Sequence, residues 1–457
     1  MAPFTSIISQ TVNKLRKAIV LADEDPYKTV VEHHHQAEQP EDDLYGKKYV
    51  ESWYADVICT TAVQLFETMA GMGTRRLKKY HNIVGKTIII DESHTSLPTY
   101  LWPVLLKYIQ FLTQHCGCKF IMSSGSMVKP WEIKRFRQLA GFNLEVKPLL
   151  PIELSRKSLE MEKNRVKISY NPVKLKLSDL GKLITSVQGS KIVRLNTIQN
   201  AAAVTEWCIN HNYDVLHLST SLSPQDREET IKEVVKRLQN KNGNWILTTT
   251  SCVEAGMDFS FRYGFTENAG MISLTQFDGR VRREFEPEYD DSFVKVFELD
   301  INEDDKVFTA NPEFGFAQDI FAAFYKQGKI GPEWCHEAML KEAAKIGEDY
   351  KITGPNDTHI TLGELLNAED RFEAEKVSKF FRVIASDKQT VLVRPDILSD
   401  KDLDFNKLIR NSVQIYDSKL EKIGRLLDKS DKTDLLIWKG KYNKILGYMA
   451  DPACWSK

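Results

Sequence analysis

The sequence predicts an α/β protein with two tandem parallel-sheet domains, a helical linker and a small C-terminal domain. Short apolar runs alternate with amphipathic stretches over roughly the first 150 residues, and the same alternation starts again after about residue 165. Fully apolar strands separated by helices are typical of a parallel sheet that helices cover on both faces. From about Phe308 the pattern becomes mainly helical.

The length and composition indicate a globular protein of several domains. At 457 residues the chain has room for about three domains. The formal net charge is −1, so any nucleic-acid contact would come from a local basic groove. The seven cysteines form no CxxC pair, which favours reduced thiols. Without a membrane-length apolar run or a signal-peptide pattern, the protein is predicted to be cytoplasmic and to have no membrane partner.

The individual elements follow from the apolar runs and the helical spacing. In the first sheet, strands are predicted at 57–61, 87–92 and 119–124, with helices at 63–69 and 101–113. A charged, proline-containing stretch at 148–165 predicts a domain boundary. In the second sheet, strands are predicted at 191–196, 214–218 and 245–250, with helices at 201–209 and 224–238. Helices at 314–325 and 332–344 precede a small tail that begins near Thr390.

The strongest chemical signal is the acidic segment at 91–94, which reads Asp-Glu-Ser-His directly after three isoleucines. In open α/β sheets, ligands lie beyond the carboxyl ends of the strands. One acid at that position can bind Mg²⁺ on nucleotide phosphates, and the next can orient an attacking water. The alternative is that both acids only cap the following helix.

Two further segments carry weaker signals. Residues 276–283 read Gln-Phe-Asp-Gly-Arg-Val-Arg-Arg, and such arginines can stabilise the charge that develops during phosphoryl transfer. The alternative is a solvated basic patch. Residues 248–258 run from a strand through hydroxyl residues to a glycine, which lets the backbone approach a ligand. Alone, this segment is only a strand-to-helix turn.

In this order and at these separations, the three segments resemble motifs II, V and VI of DExH superfamily 2 helicases. Finer detail resembles the CRISPR type I helicase-nuclease family. Residues 3–11 look like its motif Ia, and Thr60-Thr61 with Gln64 looks like its next DNA-contacting stretch. Segments 195–201, 217–227 and 438–448 look like the opening of its second lobe and the end of its C-terminal domain.

The resemblance implies a domain organisation, an activity and partners. It implies an incomplete RecA-like domain 1 over 1–155, RecA-like domain 2 over 156–307, a helical linker over 308–389 and a C-terminal accessory domain over 390–457. The implied activity is ATP-dependent unwinding of, or translocation on, single-stranded DNA in CRISPR interference, an antiviral defence. ATP and Mg²⁺ are the implied cofactors. Single-stranded DNA and a Cascade-like surveillance complex are the implied partners.

The resemblance also implies roles for individual residues. Asp91 would hold Mg²⁺ through the nucleotide, Glu92 would activate water, and Arg280 and Arg283 would act as arginine fingers. The expected nucleotide-binding residues are His94, Gln276, Gly256 and Asp258, and His94 would also link this site to the second lobe. The expected nucleic-acid contacts are Thr5, Thr60, Thr61, Gln64 and Thr249. The triple histidine at 33–35 suggests either a metal site or, as the favoured interpretation, loop packing or polar surface, because no matching acid or histidine cluster is evident.

The chain departs from the family pattern in four ways. The sequence contains no GxxxxGK(S/T) phosphate loop, since Gly85-Lys86-Thr87 has Tyr80 in place of the first glycine. It also contains no His-Asp doublet of a nuclease domain. Ser124-Gly125-Ser126 stands at motif III, and Phe277 stands where motif VI commonly has arginine. A first lobe without its first strand and helix would leave apolar surface uncovered.

Three explanations for the missing phosphate loop stay open. The chain is a fragment or shortened product, which is favoured, or one half of a split motor. In the split motor, a separate polypeptide would carry the phosphate loop and the nuclease domain. The third explanation is an ATP-independent nucleic-acid-binding or scaffolding subunit of a defence complex.

Overall fold

A computed structural model describes most of the chain: residues 1, 5–34, 49–126, 128–241, 243–254, 257–301, 307–355, 358–384, 388–400, 404–430, 433 and 435–455. The chain forms two compact units. The first combines Met1–Leu149 with Cys335–Ser386, and the second combines Leu150–Trp334 with Asp387–Lys457. The finer division into four domains stays a prediction.

The first unit contains two parallel strand pairs within its N-terminal segment. Its elements in chain order are α1 (Thr5–Ile19), α2 (Pro26–Thr29), β1 (Val30–His33), β2 (Val57–Thr60), α3 (Ala62–Met69), α4 (Thr74–Tyr80), β3 (Thr87–Ile90), α5 (Trp102–His115), β4 (Lys119–Met122) and α6 (Lys134–Ala140). Strand β1 pairs with β2, and β3 pairs with β4. Ile89, in the middle of β3, is 53% exposed.

The second unit is built on a six-stranded parallel sheet with the order β5-β10-β9-β6-β8-β7. Its elements are α7 (Ile152–Lys163), β5 (Lys167–Leu175), α8 (Leu177–Thr185), β6 (Ser190–Arg194), α9 (Ile198–Asn210), β7 (Val215–Leu218), α10 (Pro224–Gln239), β8 (Trp245–Thr249), β9 (Tyr263–Glu267), α11 (Met271–Asp278), β10 (Phe293–Leu299) and α12 (Gly315–Lys326). The central strands β6, β8 and β9 are buried along their whole length, including the charged residues Lys191, Arg194 and Glu267.

Local sequence signals set the ends of the helices. Helix α10 begins after Ser223, whose side chain accepts a hydrogen bond from the backbone of Asp226. Pro224 occupies its first turn, and Lys236 and Arg237 lie in its last turn, where cations interact favourably with the helix dipole. Similar caps at Thr61 and Thr197 begin α3 and α9 directly after strands.

The C-terminal third contributes to both units. Residues 335–386 add to the first unit α13 (Cys335–Ala343), the antiparallel pair β11 (Lys351–Thr353) and β12 (His359–Thr361), α14 (Leu362–Asp370) and α15 (Ala374–Phe380). The tail adds to the second unit β13 (Lys388–Leu392), α16 (Phe405–Arg410), β14 (Ser412–Tyr416), α17 (Asp417–Ile423), β15 (Leu427–Lys429) and β16 (Leu436–Trp438). The predicted α/β fold with tandem parallel sheets is confirmed. Within the described ranges, no helix has the length and apolar character that a membrane span requires.

Candidate nucleotide and nucleic-acid sites

The acidic segment lies in a tight turn at the carboxyl end of β3. Asp91 and Glu92 are both half-buried, and a short 3₁₀ turn covers Ser93–Thr95. Glu92 has φ 46° and ψ 49°, a left-handed conformation that costs a non-glycine residue about 1–2 kcal/mol. The backbone N–H of Ser93 donates to the carbonyl of Ser123 at 2.9 Å, which fixes the turn against the end of β4.

His94 connects this turn to the segment that stands at motif III. Its imidazole is buried, and its Nδ1 lies 2.7 Å from the hydroxyl oxygen of Ser124. Burial lowers the pKa of His94 to about 4, so the ring is neutral at pH 7. The contact between His94 Nδ1 and Glu92 Oε2 at 3.5 Å is therefore no ion pair at neutral pH. The predicted link from His94 to the second lobe stays a prediction.

The paired acids fit a magnesium ion that is shared with a nucleotide. Mg²⁺ is usually held by one or two carboxylates together with substrate phosphates and waters. Asp91 and Glu92 supply this number of carboxylates at the end of a parallel strand. No group of three or more His, Cys, Asp or Glu side chains suited to a metal occurs among the residues that the structure describes.

The arginine segment of the second unit follows α11 and contacts the predicted motif V loop. The buried guanidinium of Arg280 donates to the carbonyls of Val253 at 2.9 Å and Glu254 at 2.6 Å, and also to that of Met257. Arg283 is 37% exposed at its side chain and pairs with Asp258 at 3.0 Å. The structure thus brings the predicted residues of motifs V and VI together.

The remaining predicted residues of these motifs have different surroundings. Gln276 is half-buried on the last turn of α11. Phe277, which stands where arginine is common, is fully buried in the core. Gly256 lies outside the described residues.

Arg165 forms hydrogen bonds to the arginine segment. No role for this residue was predicted from the sequence. Its buried guanidinium donates to the Asp278 carbonyl at 2.6 Å, to the Val281 carbonyl and to Asp278 Oδ1 at 3.1 Å. It also pairs with Glu162 at 2.8 Å. Burial raises the pKa of the Asp278 carboxyl above its usual range, and the positive charge of Arg165 acts against this shift. In the sequence, Arg165 is one cation in a charged stretch, so no local pattern distinguishes it.

Several predicted nucleic-acid contacts meet at the carboxyl edge of β1 and β2. The hydroxyl of Thr60 donates to the carbonyl of His33 at 2.8 Å. Thr61 caps α3 by accepting from the backbone of Gln64 at 3.2 Å, and the Gln64 amide oxygen accepts from Lys79 Nζ at 3.2 Å. Thr5 is the first residue of α1, and its side chain lies outside the described set.

Thr249 has a different environment from these residues. It is fully buried at the end of β8, and its hydroxyl donates to the carbonyl of Leu218 at 2.8 Å. A phosphate contact by this hydroxyl would require the bond to Leu218 to open.

The described histidines of the triple histidine make packing contacts. His33 Nδ1 accepts from the indole N–H of Trp53 at 2.8 Å, and His34 Nε2 lies 2.7 Å from Glu32 Oε1. Burial, with the neighbouring Lys79 and His34, lowers the pKa of His33 to about 3. These contacts agree with loop packing for His33 and His34. His35 lies outside the described residues.

The comparisons with known proteins agree with the sequence motifs. The family model described as "CRISPR-associated nuclease/helicase Cas3, C-terminal" matches residues 188–286. The CRISPR-associated nuclease/helicase Cas3 of Haloferax volcanii is 21% identical over 382 residues, which covers 62% of this chain and 40% of that protein. This chain therefore spans less than half the length of that relative.

The structural neighbours show the fold. The crystal structure of T. fusca Cas3 with ATP matches with a TM-score of 0.64 and 12% identity, covering 95% of this chain and 61% of that one. The structure with AMPPNP matches with a TM-score of 0.63 and 12% identity, covering 98% and 64%. A chain of a CRISPR RNA-guided surveillance complex in a pre-nicking state matches with a TM-score of 0.55 and 12% identity, covering 86% and 58%. Sequence and fold agree on one likeness: this chain, with its tandem RecA-like domains, is similar to the helicase portion of the CRISPR-associated nuclease/helicase Cas3.

Proposed function

We propose that this chain is the motor portion of an ATP-dependent helicase or translocase that acts on single-stranded DNA in CRISPR type I interference. The observation that carries the proposal is the Asp91-Glu92 turn at the carboxyl end of β3, tied to Ser124 through His94. A carboxylate pair at this edge of a parallel sheet suits nucleotide hydrolysis. The ATP and AMPPNP complexes of T. fusca Cas3 support nucleotide binding by this fold.

Asp91 and Glu92 would have different roles in hydrolysis. Asp91 would hold Mg²⁺, and Glu92 would orient the attacking water and take its proton. When bound, the ion would neutralise charge on the nucleotide phosphates. Glu92 has a left-handed backbone conformation, and strained residues of this kind cluster at functional sites.

The arginine segment would stabilise the charge that develops on the phosphates. Arg283 has a half-exposed side chain that pairs with the exposed carboxylates of Asp258 at 3.0 Å and Glu284 at 3.8 Å. Breaking such a surface ion pair costs about 1 kcal/mol or less, so Arg283 can turn toward a phosphate. Arg280 would have to leave three carbonyls to do the same. In this arrangement Arg280 would mainly couple the motif V loop to Arg283, with Gln276, Gly256 and Asp258 beside the nucleotide.

The carboxyl edge of β1 and β2 would bind the backbone of single-stranded DNA. Thr60, Thr61 and Gln64 share this edge with the first turn of α3, and hydroxyls, amides and helix N-termini commonly contact phosphates. Thr5 at the start of α1, and Thr249 in the second unit, are proposed as further phosphate contacts. The likeness to a chain of a CRISPR surveillance complex supports recruitment by a Cascade-like complex.

Hydrolysis would need a phosphate loop from outside these 457 residues. Thr87 begins the strand β3, whereas the Ser/Thr of a phosphate loop leads into a helix, so Gly85-Lys86-Thr87 cannot serve. We propose that a separate segment or polypeptide supplies the loop. A second candidate function, an ATP-independent DNA-binding or scaffolding subunit, is favoured by the Ser-Gly-Ser sequence at motif III and the same missing loop.

The test is DNA-stimulated ATP hydrolysis, with Glu92→Gln as the matched control. Alone, the chain is expected to hydrolyse ATP no faster than Glu92→Gln. When a polypeptide that carries a GxxxxGK(S/T) loop is added, hydrolysis is expected to depend on Glu92 and on single-stranded DNA. A stable complex that binds DNA and hydrolyses no ATP would favour the scaffolding function.

A further inference from the structure

Lys79 is a buried lysine beside the proposed DNA-binding edge of the first unit. It lies in the last turn of α4 and is only 6% exposed. Lysine is almost never fully buried unless its ammonium is paired, because leaving water costs several kcal/mol. The neighbouring Lys78, on the same helix, is exposed. The burial of Lys79 therefore calls for a specific local reason.

The side chains of Gln64 and Trp53 lie near the ammonium of Lys79. Lys79 Nζ lies 3.2 Å from Gln64 Oε1 and 5.2 Å from the centroid of the Trp53 ring, within the range of a cation–π contact. Trp53 is itself fixed, since its indole N–H donates to His33 Nδ1 at 2.8 Å. The Lys79 ammonium thus contacts both the Gln64 amide and the Trp53 ring, whose position is held by its hydrogen bond to His33.

The chemistry of the two side chains decides how the Gln64 amide is oriented. An ammonium has only donors, so Gln64 must present its oxygen to Lys79. The amide nitrogen of Gln64, with two N–H donors, is then the atom that can donate to an acceptor. Gln64 is half-buried in the first turn of α3, directly after the Thr60 and Thr61 that share its strand edge. Phosphate oxygens are acceptors, and an amide that presents Nε2 matches them.

We propose that Lys79 is a positioning residue for single-stranded DNA binding, which holds the Gln64 amide so that Nε2 donates to a backbone phosphate. Lys79 does not itself contact the phosphate. The inference rests on the proposed DNA-binding edge of β1 and β2. It differs from a direct ionic contact in one measurable respect, because a lysine that neutralises a phosphate contributes about 0.7 to the slope of log affinity against log salt for a single strand.

The test measures binding of a fluorescent oligodeoxythymidine by the full chain at several salt concentrations. Lys79→Met is expected to weaken binding about tenfold with an unchanged salt slope, because one hydrogen bond to a charged group is lost. The double variant Lys79→Met/Gln64→Ala should bind no more weakly than Gln64→Ala alone, since both changes remove the same contact. Lys78→Met is the matched control and should bind like the wild type.

A second variant keeps the test decisive if Lys79→Met does not fold. Gln64→Glu retains a partner for Lys79 but has no N–H donor, so it should fold and lose at least as much affinity as Lys79→Met. A shallower salt slope in Lys79→Met, additive losses in the double variant, or full affinity in Gln64→Glu would each overturn the positioning role.

The control measurement on the wild type separates this role from the proposed function. Wild-type binding that Lys79→Met leaves unchanged would overturn the role of Lys79 alone. Absence of binding by the folded wild type would overturn the proposed DNA-binding edge and, with it, this role.

Discussion

The Nδ1 atom of His94 lies 2.7 Å from the hydroxyl oxygen of Ser124. This bond joins the acidic turn after β3 to the segment after β4, and Ser124 extends it to Ser126 at 3.0 Å. In the proposed motor, these two segments would connect nucleotide hydrolysis to movement. The bond gives the Ser-Gly-Ser sequence a contact with the acidic turn even though it departs from the family pattern.

Replacing Ser124 should show how much this bond stabilises the first unit. Ser124→Ala leaves the buried Nδ1 of His94 without this partner, which costs about 1–3 kcal/mol. The free energy of unfolding in urea measures the loss. Ser123→Ala is the control, because Ser123 is exposed and its change should stay within about 0.5 kcal/mol. Equal stability of the two variants would contradict the role of the bond.

The stability of the protein should depend on pH through His94. Its pKa lies at about 4 in the folded state and near 6.5 when unfolded, so the unfolded state binds more protons between these values. Its contribution is fully present above about pH 6.5 and is lost as the pH falls toward 4, by about 3 kcal/mol in total.

The variant His94→Asn isolates this contribution, because asparagine keeps a polar atom near the position of Nδ1 and does not titrate. Between pH 6.5 and 4, its unfolding free energy should fall less steeply than that of the wild type. Parallel curves for the two proteins would show that His94 is not the titrating group.

The ion pair of Arg165 and Asp278 should be worth more than a surface ion pair of the same unit. Arg165→Met removes the cationic partner of the buried Asp278 carboxyl and the side-chain donor to the Val281 carbonyl, so the loss should reach about 3–5 kcal/mol. Adding Asp278→Asn should recover part of the loss. The exposed pair of Arg410 and Glu228 is the control, and Arg410→Met should cost about 1 kcal/mol or less. Similar unfolding energies for both arginine variants would refute the prediction.

Substitution of Arg280 should mainly reduce stability, whereas substitution of Arg283 should mainly reduce ATP hydrolysis. Arg280→Ala removes three hydrogen bonds to the motif V loop and should lower the unfolding free energy by about 3 kcal/mol or more. Arg283→Ala should change it by about 1 kcal/mol at most, yet reduce hydrolysis by the complemented motor about 10³-fold or more. Glu284→Ala, which removes the other carboxylate near Arg283, should keep both properties. Normal hydrolysis by Arg283→Ala would show that Arg283 is not an arginine finger.

The sequence predicted β6, β7 and β8 and the helix α10 well, whereas the strands β5, β9 and β10 and the helices α1 and α7 were not predicted. The predicted strand at 245–250 and helix at 224–238 agree within one residue with β8 and α10. Strand β9 was missed because Gly264 interrupts its apolar run. That glycine is required, since a Cβ there would lie 2.7 Å from Val281 Cγ2. Such close approaches depend on tertiary packing, which a local pattern does not contain.

The site was predicted less completely than the fold. The positions of Asp91, Glu92 and Arg283 follow from strand ends and motif order, whereas the surroundings of Arg165 and Lys79 do not. Lys79 belongs to the mostly basic segment 75–79, which resembles a solvated helix face. Its ammonium nevertheless contacts the Trp53 ring and the Gln64 amide oxygen. Whether a cation is buried depends on residues distant in sequence.

The most direct test of the account is DNA-stimulated ATP hydrolysis by this chain together with a polypeptide that supplies a phosphate loop. The account predicts hydrolysis that requires single-stranded DNA and falls about 10²–10⁴-fold in Glu92→Gln, as expected for loss of a general base. A folded, DNA-binding complex whose hydrolysis does not exceed that of Glu92→Gln would contradict it.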